Sequence, residues 1–142
     1  MNAKEYLSQI RKLEHKIERM KVRCKEYDHL ADSVSSPNYG KEIVDGTKAK
    51  SAPFLKWLFK KDELEQEITI LEERLENLKA DAIIKIESLE NEDYKTILVK
   101  KYFEGKTWEE IRKEMFISKA TIYRWYGEAL VSLNAYIKDE TL

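Results

Sequence analysis

Lys119, Ala120, Tyr123 and Arg124 carry the chemistry of duplex recognition at spacings of one, four and five residues, which place them on one face of a helix. A lysine head neutralises phosphate, an arginine fork can address phosphate or a base edge, and an aromatic hydroxyl adds a donor and an acceptor. Alanine, with Gly127 two turns further on, leaves room for close approach. Ser118 and Thr121 complete the candidate DNA-binding set at the start of the same segment, and Lys106, Arg112 and Lys113 lie upstream as candidate phosphate contacts.

Other chemistries lack their residues. Carboxylates are abundant between residues 61 and 93, but no His or Ser nucleophile is spaced to work with them, and no Gly-rich phosphate loop occurs. His15 and His29 are too far apart for ligation on adjacent helical turns, and Cys24 has no neighbour that would activate it. The expectation is a binding protein: not an enzyme, with no metal and no cofactor.

The elements that would present Lys119 to Arg124 are legible as two capped helices. Thr107 with Glu110 forms a capping-box pattern that opens the first, and Trp108, Ile111 and Met115 share its apolar face. After the corner Met115-Phe116-Ile117, Ser118 can cap the second, whose apolar stripe is Ile122, Trp125, Ala129 and Leu133. Trp125 and Tyr126 sit at core spacing and are expected to pack rather than to stack on bases. Many such corners hold Gly where Phe116 stands; a bulky residue at positive φ is strained, so a differently built corner is expected.

From Asn91 to Leu133 this pattern resembles region 4 of bacterial sigma factors, with a preceding helix, a scaffold helix and a recognition helix ending in an apolar run. The resemblance implies double-stranded DNA as a partner, read by the N-terminal half of the second helix.

The 142 residues allow one domain or two small ones, and a 37% charged composition poor in Gly and Pro favours long helices: an all-α fold. The net charge of −1 is unevenly spread. Residues 1–30 carry +3, 31–60 carry +2, 61–93 carry −8 with twelve acids against four bases, and 94–142 carry +2. A reading domain at +2 binds duplex weakly as a monomer, so a homodimer or a DNA-bound partner is expected to supply affinity. One cysteine and no long apolar run point to a soluble cytoplasmic protein outside the membrane.

Two heptad seams dominate residues 1–90. The first is Ala3, Tyr6, Ile10, Leu13, Ile17, Met20, Cys24 and Tyr27, implying a helix of about 27 residues. The second is Leu64, Ile68, Leu71, Leu75, Leu78 and Ala82, blurring through Ile83, Ile86 and Leu89. A basic and an acidic helix on one chain favour an antiparallel, coiled-coil-like hairpin. Its register sets Lys21 near Glu72, Glu14 near Lys79 and Arg23 near Glu67, with Lys16 against Arg74 and Asp28 against Glu65 as repulsive pairs. A long loop at about 31–55, holding both prolines and made basic by Lys41, Lys48 and Lys50, separates the seams, with Lys56 following it; it reads first as a solvated linker, with a second contact for nucleic acid or polymerase as the alternative. Phe54, Leu55, Trp57, Leu58 and Phe59 imply a short apolar helix after it. The expected domains are a hairpin over 1–90 and a helix-turn-helix over 91–142.

Taken together, Tyr27 to Pro37 (YDHLADSVSSP), Leu64 to Leu78 and Tyr123 to Leu130 (YRWYGEAL) resemble small phage and prophage late transcription regulators related to the RinA and ArpU groups. That resemblance implies an activator of phage late genes, acting at a promoter with bacterial RNA polymerase in the host cytoplasm. Two alternatives stay open: a phage small terminase subunit for DNA packaging, and an adaptor that binds polymerase without reading DNA.

Overall fold

The computed structural model describes the backbone of residues 1–35 and 45–141, and the side chains of residues 1–33 and 53–137. It is all-helical across those residues, with α1 at Ala3–Ser35, α2 at Asp45–Glu87, α3 at Glu92–Tyr102, α4 at Trp108–Met115 and α5 at Lys119–Thr141. No helix among the described residues is long and apolar enough to cross a membrane.

Both seams are longer than their apolar patterns indicate. α1 has 33 residues rather than about 27, because Ala31 continues the buried stripe one turn past Tyr27. α2 has 43 residues and already includes the Phe54 to Phe59 segment, so the separate short helix expected there is part of α2. The expected loop at 31–55 shrinks correspondingly, since 31–35 close α1 and 45–55 open α2. Pro53 lies inside α2, where it lacks the amide that would bond the carbonyl of residue 49. The expected contact through Lys41, Lys48 and Lys50 falls outside the described side chains.

The chain forms two compact units, Met1–Leu13 with Leu75–Leu142, and Glu14–Arg74. In the second unit Ile17, Met20, Cys24 and Ala31 of α1 are buried, as are Ile68 and Leu71 of α2. Burial pushes the Cys24 thiol pKa up, with the Glu65 carboxylate adding to the rise, which keeps the thiol protonated. Tyr27 stacks on Trp57 with centroids 5.7 Å apart, and Lys56 and Lys60 lie 5.6 and 5.7 Å from the same indole. Lys21 reaches Glu72 at 3.2 Å and Lys61 reaches Asp28 at 2.6 Å, so contacts further along α1 meet earlier residues of α2. That order is antiparallel.

In the first unit Leu7 and Ile10 are fully buried with Ile86, Ile97, Leu98, Ile111, Ile122 and Leu133. The Ala3 amide donates to Asn134 Oδ1 at 2.7 Å, tying the start of α1 to α5. Lys85, only 5% exposed, ends 2.6 Å from Asp81 Oδ2 and 5.3 Å from the Tyr6 ring, while the Tyr6 hydroxyl donates to the same carboxylate. This polar cluster gives the buried ammonium an anion and an aromatic face in place of water.

Candidate nucleic-acid interface

Three helices and two corners build the candidate interface. Asn91 caps α3, its side chain accepting from the amides of Asp93 and Tyr94. α3 ends at a corner in which the Lys106 amide donates to the Lys100 carbonyl at 3.0 Å and Gly105 takes φ +67. A Cβ on Gly105 would lie 2.7 Å from Arg11 Nη1, the movable end of a long side chain, so it is the left-handed backbone that calls for glycine here.

α4 starts on the expected capping box. The Glu110 amide donates to Thr107 Oγ1 at 3.2 Å, and the Thr107 amide donates to Glu110 Oε1 at 3.3 Å. α4 ends on Phe116, with φ 57 and ψ 43. The corner is therefore the left-handed one that glycine usually makes, and the differently built corner expected for Phe116 does not occur. At this corner the Phe116 and Ile117 amides both donate to the Arg112 carbonyl, so the left-handed residue ends α4 with its last amides still paired. The cost of a left-handed non-glycine residue is about 1 kcal/mol, and Phe116 recovers none of it by packing, being 93% exposed.

Ser118 then caps α5. Its Oγ accepts from the Thr121 amide at 3.1 Å and lies 2.9 Å from the Thr121 hydroxyl. Thr121 is half-buried, with both its amide and its hydroxyl engaged by Ser118. Below, Ile122, Ala129 and Leu133 are fully buried and Trp125 half-buried, as the apolar stripe implies. Trp108 of α4 meets Tyr126 edge-on at 4.7 Å and Tyr123 at 5.7 Å, and Lys101 Nζ covers its ring at 4.5 Å. Tyr126 thus packs as its spacing predicts, and burial pushes its hydroxyl pKa far up. Tyr123 divides its ring between Trp108 and solvent, 47% exposed.

Ser118, Lys119, Ala120, Tyr123 and Arg124 all stand exposed at the N-terminal half of α5. The three upstream cations fare differently. Lys106 sits 2.6 Å from Glu114 Oε1 and 3.1 Å from Glu104 Oε1, and Lys100 joins Glu114 at 2.6 Å. Those hydrogen bonds, Lys100's first, hold the Glu114 carboxyl below its ordinary pKa, and Glu114 raises Lys106. Arg112 Nη2 lies 2.5 Å from Glu109 Oε1, lowering Glu109 and raising Arg112. Lys113 and Lys119, both exposed, add a weaker pull on the same Glu109. Lys106 and Arg112 therefore reach a phosphate only by sharing or leaving a carboxylate, whereas Lys113 and Lys119 present exposed heads.

Beside the outward face of α5 runs an open concavity of about 660 Å³ whose wall includes Tyr94, Arg124, Gly127 and Val131. A Cβ added to Gly127 meets nothing within 4 Å, so no packing neighbour requires glycine there. Tyr94 donates its hydroxyl to Glu128, which also lies 3.9 Å from Arg124 Nε. Tyr94 is the participant that sequence reasoning missed, because its position three residues into α3 carries no motif. Among the described residues no cluster of His, Cys, Asp or Glu is arranged to hold a metal.

A family model described as "Protein of unknown function (DUF1492)" matches residues 33–134, a span that contains α3, α4 and most of α5. No curated protein and no solved structure matches the chain.

Proposed function

The chain belongs to the DUF1492 family, and we propose that this member is a sequence-specific regulator that binds double-stranded DNA through the outward face of α5. The observation that carries the reading is the joint exposure of Lys119, Ala120, Tyr123 and Arg124 on a helix capped by Ser118 and braced through Trp108. Such a helix, entering a major groove by its N-terminal half, offers two cations, a small residue and an aromatic hydroxyl to bases and phosphates. Lys113 supports it from α4, and Lys106 and Arg112 join once their carboxylates are displaced by phosphate.

In this proposal α3 to α5 act as a reader like sigma region 4, and α1 with α2 form an antiparallel hairpin that supplies a second contact surface. The likeness to the RinA and ArpU groups makes the role activation of phage late genes with bacterial RNA polymerase, in the host cytoplasm. The charge of +2 on residues 94–142 supports a cooperating partner, either polymerase or a second copy.

The pairing of Lys106 and Arg112 with Glu114 and Glu109 favours one competing reading, an adaptor that occupies polymerase without reading DNA. Footprinting the purified protein on the phage genome, with and without polymerase, separates the two. A discrete protected site for the protein alone supports direct reading; protection only with polymerase, unchanged in Tyr123→Ala and Arg124→Ala variants, supports the adaptor; no protection in either condition ends the regulator proposal.

A further inference from the structure

Phe116 is expensive to the fold and gives nothing back to it. It holds φ 57 where glycine would sit unstrained, and its side chain is 93% exposed, so it neither packs a core nor supports a neighbour. Strain and exposure together leave its side chain without a use inside the described fold. On either side, three residues away, stand Lys113 and Lys119, both exposed, and Ser118 and Ala120 open α5 immediately after it.

We infer that Phe116 is a base-reading residue that lays its ring against thymine methyl groups in the major groove, with Lys113 and Lys119 holding the flanking phosphates. The inference rests on the proposed docking of α5 and extends it to the corner ahead of the helix. The corner precedes the end of α5 that enters the groove, and three residues of chain span at most about 11 Å, so Phe116 stays within roughly three base-pair steps of Lys119. A phenylalanine side chain carries no hydrogen-bonding group, and the apolar feature that base pairs display in the major groove is the thymine C5-methyl. A protein contact at the same corner is the competing use, and the test distinguishes it.

The test uses the full-length protein on its footprinted duplex and on the same duplex with uracil for every thymine, which deletes the methyl groups alone. Affinity is measured for wild type, Phe116→Gly and Phe116→Asn. Glycine relieves the strain, and asparagine keeps a left-handed residue that is polar, so melting temperatures at or near wild type show that both variants fold. The expected result is a thymine-to-uracil penalty about fourfold smaller in both variants than in wild type, the worth of one buried methyl. Equal penalties in all three proteins overturn the inference while leaving α5 as a reader. Wild-type affinity in both variants with lost polymerase-dependent transcription overturns it in favour of a protein contact. Absence of specific duplex binding by wild type removes the inference together with the reading beneath it.

Discussion

The hydroxyls of Tyr102 and Tyr126 stand 2.5 Å apart and join α3 to α5, with Trp108 edge-on against the Tyr126 ring. Tyr102 is 5% exposed, so its hydroxyl depends on Tyr126 for what water would otherwise provide. Tyr126→Phe should cost about 1–3 kcal/mol, because it strands one buried hydroxyl. Tyr102→Phe with Tyr126→Phe should cost less than either change alone, since no orphan remains. Urea denaturation of the four proteins in the cycle checks this, and additive losses would show that the hydrogen bond is not what couples the two helices.

Relief of the left-handed corner is a separate stability effect. Phe116→Gly should raise stability by about 1 kcal/mol, less whatever the unfolded chain gains in freedom from a new glycine. Phe116→Ala should not, because alanine meets the same backbone penalty without an aromatic contact to lose. Thermal melting of the two variants side by side makes the comparison. A lower melting temperature for glycine than for alanine would mean that the φ of 57 does not persist in solution.

Asp81 gives the first unit an acid-sensitive element. Its pKa is lowered, first by the hydrogen bond from Lys85 and then by that from the Tyr6 hydroxyl. A carboxylate with a depressed folded-state pKa contributes stability that is present above its unfolded value, near 3.9 for Asp, and is lost as pH falls through the folded value. Asp81→Asn should therefore be less stable than wild type at neutral pH, with the gap closing as pH drops below about 4. Denaturation midpoints collected from pH 7 downward test the sign. A gap that widens on acidification would rule out the carboxylate as the source.

Heptad spacing together with the charge contrast of the two helices was enough to pair Lys21 with Glu72, found at 3.2 Å, and the seams it named are buried or half-buried throughout. The repulsion read between Asp28 and Glu65 is answered by Lys61, which lies 2.6 Å from the first and 3.6 Å from the second. Pairwise register counting misses such a bridge, because Lys61 sits one turn before Glu65 on the same helix and reaches across from there. Lys61→Met should lower the melting temperature more than Lys60→Met, whose head lies against the Trp57 ring instead. At the candidate interface, spacing named the exposed face of α5 but not which cations were already committed. Ion pairs such as Arg112 with Glu109 lie within one helical turn, yet Lys106 with Glu114 closes across the α3–α4 corner, and only the folded chain shows that. The corner itself was harder to read, since a phenylalanine at a glycine position argues locally for another geometry, yet the chain turns left-handed there with the Phe116 and Ile117 amides both on the Arg112 carbonyl.

Arg124 is the residue on which direct reading of DNA turns. It is exposed, its nearest anion is Glu128 with 3.9 Å to Nε, and it stands one turn beyond Ala120 on the outward face of α5. If its fork addresses a base, Arg124→Ala should cost about 1–3 kcal/mol at the footprinted site and little on random duplex. Lys113→Ala and Lys119→Ala, placed at phosphates, should weaken both duplexes alike and each reduce the slope of log affinity against log salt by about 1. Titrations over a range of salt on specific and random duplexes separate the two classes of contact. Equal losses on both duplexes for Arg124→Ala would make it a phosphate contact, leaving Tyr123 and Ala120 as the base-facing residues of α5. A salt slope that neither lysine variant changes would move the DNA path away from the α4–α5 corner altogether.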